Sequence, residues 1–324
     1  MKILPIRDPL IYGRMTYGIP LSIISAYDSL FPWFYSMYID IYMDTPELFT
    51  LENARIISGA YKPVIDHETI TRDEFFDLNL SIIDFLQKAI DSNQYVYAFF
   101  NKYYVPGTQA YKNKNHNHNL FIYGYDSHRS TFNVMTFDNS LKFNNIVVSY
   151  TDIEYAFLNY SDPDPILNNI YSMTFKKKKY HYELSSIINK LEKYLSPIET
   201  YSGLNSYQFI QQNLVGFLNK KSNYSPSLVN YHVLYEHKLC MFLRAKFFEE
   251  NKLIAPDIIN ECHTIVQNTL ITRNMLMKYH INKNDYLIEK MITLLGLIKE
   301  EEQKLLHKMI IELNKKRGHI FEST

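Results

Sequence analysis

Two histidines in "KNHNHNLFIYGYD" (114 to 126), His116 and His118, are the first residues in this chain whose type and spacing invite chemistry. Two residues apart on a strand, they share one face. A zinc site would need Cys, His or carboxylate groups to close a tetrahedron. No cysteine lies in this half, and Asp126 would have to bend back, so no metal is expected. A general base needs less: a neutral imidazole whose second nitrogen is held by an oxygen acceptor. If 119–125 pairs with 131–137 as a hairpin, the residue opposite the start of the first strand lies just past the end of the second, and that residue is Asp138. His118 and Asp138 then form either a base with its orienting acid, or a strand end beside an Asx turn.

A nucleophile would complete the set, and a helix N-terminus is where one is activated. The early candidate is "TYGIPLSIISAYDSLFPWF", where Pro20 suits a first turn and makes Gly18 or Ile19 the cap. Ser22 and Ser25 fall inside that helix. Both cysteines, Cys240 and Cys262, lie in distal helical patterns, where a free thiol acts as a small apolar residue; His237 shares a helix face with Cys240 but has no carboxylate in company. The loop "NKYYVPGTQAYKNKN" (101 to 115) joins two buried strands, and Tyr103, Tyr104 and Tyr111 are placed to stack on a ligand or to pack as a lid.

Two regions of different periodicity must position these groups. Up to about residue 175 the pattern alternates: an amphipathic helix in "DEFFDLNLSIIDFLQKAIDSN" ended by Asn93, then strands at 94–101, 119–125, 131–137 and 145–150 with a turn at "DSHRS", then Thr151 and Glu154 as a capping box for "DIEYAFLNY". That order predicts an α+β fold with an antiparallel sheet. From about 181 the pattern is helical, broken at Pro197, Pro226 and Pro256, and predicts an α-helical bundle. The boundary is placed in 161–179, with domains at 1–170 and 171–324, and the run Lys176 to Lys179 reads as a solvated connector.

The 34 basic and 34 acidic side chains cancel, which argues against nucleic acid or an anionic membrane as partner. Two cysteines are too few for a disulfide framework. No stretch is long and apolar enough to span a bilayer, and "MKILPIRDPLIYG" lacks a signal-peptide core, so the chain is read as cytoplasmic.

Taken whole, "QYVYAFFNKYYVPGTQAYKNKNHNHNLFIYGYDSHRSTFNVMTFDNS" with "VVSYTDIEYAF" resembles the N-terminal domain of the butirosin biosynthesis protein H family, found in nonribosomal peptide gene clusters. Asn101, Tyr103, Tyr104, Pro106, Tyr111, His118, Gly124, Tyr125, Asp126 and Asp138 occupy the motif positions, with Asn101 standing where the family has Asp. "VLYEHKLCMFLRAKFF" and "RNMLMKYH" more weakly resemble the helical region that follows in some members. The family is similar to papain-like cysteine peptidases, in the order Cys, His, Asp, and includes an amide-forming enzyme of closthioamide assembly.

The resemblance implies an acyltransferase for antibiotic biosynthesis. A Cys would take an acyl group from the phosphopantetheine thioester of an acyl or peptidyl carrier protein and pass it to a small amine, with no further cofactor. His118 would be the base, Asp138 its orienting acid, and Tyr103, Tyr104, Tyr111 and His116 would line the substrate site. The nucleophile is expected at the opening of the first long helix, where this chain has Gly18. Three functions remain open at this level: amide synthesis, binding without catalysis, and hydrolysis as a cysteine-type peptidase or thioesterase.

Overall fold

The computed structural model describes residues 1–45, 48–51, 59–176, 179–221 and 224–321, so Lys177 and Lys178 of the lysine run lie outside the described residues. Along the chain come β1 (Lys2–Ile3), α1 (Met15–Ile24), α2 (Phe31–Tyr35), β2 (Ile41–Thr45), β3 (Leu48–Leu51), β4 (Ile65–Thr71), α3 (Arg72–Asp77) and α4 (Ile82–Asp91). Then follow β5 (Gln94–Asn101), β6 (Asn117–Asp126), β7 (Thr131–Phe137), β8 (Phe143–Ser149), α5 (Tyr150–Leu158) and β9 (Asn169–Phe175). Five helices complete the chain: α6 (Leu184–Leu195), α7 (Asn205–Leu218), α8 (Leu228–Glu250), α9 (Asp257–Asn282) and α10 (Asp285–Phe321).

The chain forms two compact units. One comprises Met1–Leu30 with Arg55–Tyr180, the other Phe31–Ala54 with His181–Thr324. A single cut near residue 170 therefore misses two things. Strand β9 runs on to Phe175 inside the first unit's sheet, and the segment around 31–54 belongs with the helices.

The first unit is built on an antiparallel sheet in the order β4-β9-β5-β6-β7-β8, with β1 also paired to β6. Its core is aliphatic and aromatic: Val96, Ala98 and Phe100 of β5 and Leu120 and Ile122 of β6 pack with Phe75, Leu86, Ile153 and Phe157 from α3, α4 and α5. Gly124 is needed where β1 crosses, because a Cβ there would stand 2.9 Å from the Lys2 carbonyl oxygen. The amphipathic stretch expected as one helix is broken into α3 and α4, because Asn79 takes a left-handed φ of 50° and Ser81 caps a new N-terminus by accepting from the Asp84 N–H. Asn93 is left-handed as its type allows, and Ser149 rather than Thr151 caps α5, accepting from the Asp152 N–H.

In the helical unit α8 packs on α9, and α10 on α9, α6 and α7. The prolines fall where expected: Pro197 after α6, Pro226 before α8 and Pro256 at the start of α9. Helix α8 also carries buried polar residues at 230, 237 and 244, seven apart and so on one face. Each meets the backbone of the inserted segment. Asn230 Oδ1 accepts from the Phe49 N–H (3.1 Å), His237 Nε2 bonds the Ile39 carbonyl (2.8 Å), and Arg244 donates to the Tyr35 (2.7 Å) and Met37 (2.5 Å) carbonyls. The groups of Tyr35 and Phe49 belong to a short helix and a short strand, and those of Met37 and Ile39 to the chain between, so without α8 they would be left unsatisfied, which is why polar residues stand on an inward face. Behind His237, Lys238 is fully buried and paired to both Glu302 oxygens at 2.8 Å, with Tyr194 and Tyr207 hydroxyls donating to the same carboxylate.

Candidate functional site

Strands β5 and β6 run in unbroken antiparallel register, with Phe100 opposite His118 and Asn101 opposite Asn117; the Lys102 N–H to His116 carbonyl bond (2.9 Å) extends the pairing. Alternation therefore puts Lys102, His116 and His118 on one face, with Phe100 and Leu120. The two imidazoles lie 5.4 Å apart, and His118 also meets the Phe137 ring edge-on at 6.5 Å.

Strand β7 leaves β6 just here. The last paired residues are Phe121 and Met135, and continuing that register places 118 opposite 138, as the hairpin reasoning expected. The hydrogen bond expected between His118 and Asp138 is nevertheless not made. Asp138 turns its carboxylate into its own loop, accepting from the Ser140 N–H (2.8 Å), the Lys142 N–H (3.1 Å) and Asn144 Nδ2 (3.2 Å). Its partial burial pushes the pKa up, but these bonds outweigh it and hold the carboxyl below its ordinary value. Once the β6–β7 ladder ends, nothing holds residue 138 against residue 118, and the local donors of an Asx turn win.

His118 Nδ1 is buried without a hydrogen-bond partner, as is Oδ1 of the adjoining Asn119. Burial, then the nearby charges of Lys102 and His116, depress the His118 pKa to about 4 against a smaller opposing effect of Asn119, so the ring is neutral at physiological pH. His116 is also lowered, first by burial and then by Lys102 and Lys114. Lys102 is only 4% exposed, and burial brings its pKa down to about 8. Sequence reasoning passed over Lys102. The signal was available: it is two residues beyond Phe100, and strand alternation carries it onto the histidine face.

The first helix begins at Met15, with Arg14 at the cap position and Pro20 inside it, so Gly18 is the fourth helical residue and not the cap. Its N–H is spent on the Arg14 carbonyl at 2.9 Å, and the amides left for outside partners by helix geometry are those of Met15 and Thr16. The start of α1 does reach the parted strands: the Thr136 hydroxyl lies between Met15 Sδ (4.0 Å) and the Asn119 carbonyl (3.4 Å). Gly18 itself is crowded. A Cβ there would meet Tyr12 Cα at 3.3 Å and Phe143 Cε1 at 3.4 Å, and the Phe143 ring leads through Phe137 to His118. Ser22 is no substitute nucleophile, since its hydroxyl donates to the Gly18 carbonyl (2.8 Å) and rests on Met135 Sδ (3.1 Å). Cys240 and Cys262 are buried in the helical unit, their thiol pKa values pushed up by burial.

Tyr103, Tyr104 and Tyr111 do come together. With Lys112, Asp152 and Tyr155 they line an open hollow of about 310 Å³. Tyr104 stacks on Tyr155 at 6.0 Å and meets Tyr103 edge-on at 5.0 Å. His116 is not part of this hollow; it stands with His118. Asp152 and Tyr155, on α5, were not anticipated as lining residues. Among the described residues no cluster of three or more His, Cys, Asp or Glu is arranged to hold a metal, and no helix is long and apolar enough to cross a membrane. Neither the protein-family models nor the curated proteins give a match to this chain.

Proposed function

We propose that the sheet unit is a papain-like acyl-transfer domain of the amide-forming kind, and that this chain binds the acyl donor and the amine without turning them over. The observation that carries the second half is that the described residues of the unit that holds His118 include no cysteine: position 18 is glycine, and both thiols lie in the other unit. Supporting the first half are the neutral imidazole of His118, whose Nδ1 has no hydrogen-bond partner, and the reach of α1 to the parted ends of β6 and β7. In this reading an acyl or peptidyl carrier protein delivers the acyl chain, the tyrosine hollow receives organic substrate, and no cofactor beyond the carrier's phosphopantetheine takes part.

In the active form of such a site, a thiolate at 18 would attack the thioester carbonyl and expel the carrier thiol. The incoming amine would then displace the enzyme sulfur, with His118 moving the protons. The Gly18→Cys variant, incubated with acyl-phosphopantetheine thioesters, is expected to gain the acyl mass by intact-protein mass spectrometry, and the His118→Ala double variant is expected to lose that gain. Because the new Cβ is tight against Tyr12 and Phe143, Phe143→Leu is included to open the position. No adduct in either background would overturn the acyl-transfer reading. An adduct on the unaltered chain would overturn the reading of binding without turnover.

A further inference from the structure

The tyrosine hollow has a neighbour of a different character. Tyr104 also lines a second open hollow of about 260 Å³, whose other walls are Asn101, Asn115, Asn117, Asn159 and Ser161. One ring is thus common to an aromatic hollow and to one walled by carboxamides. Helix α5 serves both: Asp152, Tyr155 and the C-cap Asn159 stand three and four residues apart, on one face. Asn101 ties the opposite wall to it. Its Oδ1 accepts from the N–H groups of Tyr103 (3.0 Å) and His116 (3.3 Å), and its Nδ2 donates to Asn115 Oδ1 (2.9 Å) and the Asn159 carbonyl (3.1 Å). The other three carboxamides are each held by one end. Asn115 is fixed through Oδ1, Asn117 through Nδ2 on the Ser161 carbonyl (2.7 Å), and Asn159 through Nδ2 on the Tyr155 carbonyl (3.0 Å). Among the described residues, Asn115 Nδ2, Asn117 Oδ1, Asn159 Oδ1 and the Ser161 hydroxyl bond to no other group, so oriented donors and acceptors stand unspent in the wall.

We infer that the two hollows together bind a neutral saccharide. A pyranose has an apolar face of C–H bonds, which suits the negative face of a tyrosine ring, and a rim of hydroxyls, each both donor and acceptor. Tyr104 meets the first and the half-held carboxamides the second. Charge points the same way: Asp152 and Lys112 give the aromatic hollow one charge of each sign, and the carboxamide hollow has none. A strongly charged ligand would find no net counter-charge there. The Tyr104 and Tyr155 rings, 6.0 Å apart and 27° from parallel, are too close to sandwich a flat base, which needs about 7 Å, two aromatic contacts of about 3.5 Å. A ring ligand therefore lies on an open face. This deepens the reading of the tyrosine hollow as the place for organic substrate and rests on it, but it needs neither a thiol at position 18 nor His118.

The full chain is titrated with the methyl glycosides of glucose, galactose and mannose and with lactose and maltose, following the tyrosine ring signals by NMR. Glycerol, adenosine, triglycine and protonated glucosamine are the controls. At least one saccharide is expected to bind with a dissociation constant on the order of 1 mM and to shift the Tyr104 and Tyr155 rings, with every control at least about tenfold weaker. Tyr104→Leu is expected to weaken that binding at least about tenfold through loss of the aromatic face, while Tyr104→Phe stays within about threefold of the parent. Where the leucine variant does not fold, the double variant Asn159→Ala, Ser161→Ala, at two exposed positions, is expected to show a loss of about tenfold, that of two hydrogen bonds. No binding by any of the saccharides, binding unchanged in these variants, or a control binding as tightly, would each overturn the proposal. A chain that binds saccharide but gains no acyl mass as Gly18→Cys keeps this site and loses the acyl-transfer reading; one that is acylated and ignores every saccharide does the reverse.

Discussion

His118 in the sheet unit, half-buried, and His237 in the helical unit, fully buried, both have pKa values below the ordinary range, burial being the largest cause in each. Their nitrogens tell them apart. The Lys238 ammonium, which can only donate, points at His237 Nδ1 from 3.0 Å, so Nδ1 is the acceptor and Nε2–H donates to the Ile39 carbonyl. His237 is thus a finished structural joint with a fixed tautomer. At His118 one nitrogen has no partner, and its neighbours Lys102 and His116 add only positive charge. Burial and a shifted pKa are common to both residues, so neither marks a site; the unmet bond does.

The sharpest break of this comparison lies behind His237. Glu302→Gln leaves Lys238 buried without its counter-charge, and unfolding in urea is expected to show a loss of about 3–5 kcal/mol. Next, His237→Phe removes the bond to Ile39 and an acceptor of Lys238, and about 1–3 kcal/mol should disappear in the same assay. His118→Phe is expected to do the reverse or nothing, staying within about 1 kcal/mol of the parent or above it, because it replaces an unsatisfied buried nitrogen by carbon. A large loss at His118 would show that it, too, is a joint.

A further effect is one of pH. A folded-state pKa of about 4 against an ordinary 6.5 means the unfolded chain binds the extra proton first as pH falls. The stability linked to neutral His118 is therefore complete above pH 6.5 and lost on descending towards about 4. His237 contributes in the same direction. Melting temperatures of His118→Phe across that window should fall less steeply than those of the parent.

Much of the sheet was legible because its strands are short, β-branched and aromatic: the expected 94–101 and 131–137 coincide with β5 and β7, and β6 and β8 differ by two residues or fewer at either end. Strands β4 and β9 were not. "IDHETIT" is polar and "NIYSMTF" follows two prolines, so neither shows a local pattern; they become strands by pairing with each other and, for β9, with β5. For the same reason the segment 31–54 could not be assigned to the helical unit, since its partners lie on α8. At the candidate site, the opposition of residues 118 and 138 was readable from the hairpin, and the turn that captures the Asp138 carboxylate was spelled out by Ser140, Lys142 and Asn144 just downstream. Pro20 misled. Proline's usual place in a first turn set the start of α1 too late, and with it the environment of Gly18.

The seven-residue spacing of Asn230, His237 and Arg244 has a temporal side. The backbone groups they satisfy lie 181 to 209 residues upstream. At about 5–20 residues per second a ribosome needs on the order of 10–40 s to cross that distance. During that interval every residue of the sheet unit, through Tyr180, has been made, while the carbonyls of Tyr35, Met37 and Ile39 still await α8. The order of synthesis thus allows the sheet unit to close around a looped-out segment. A chain halted before Leu228 would present that loop, rich in aromatic residues, to whatever chaperone stands at the exit.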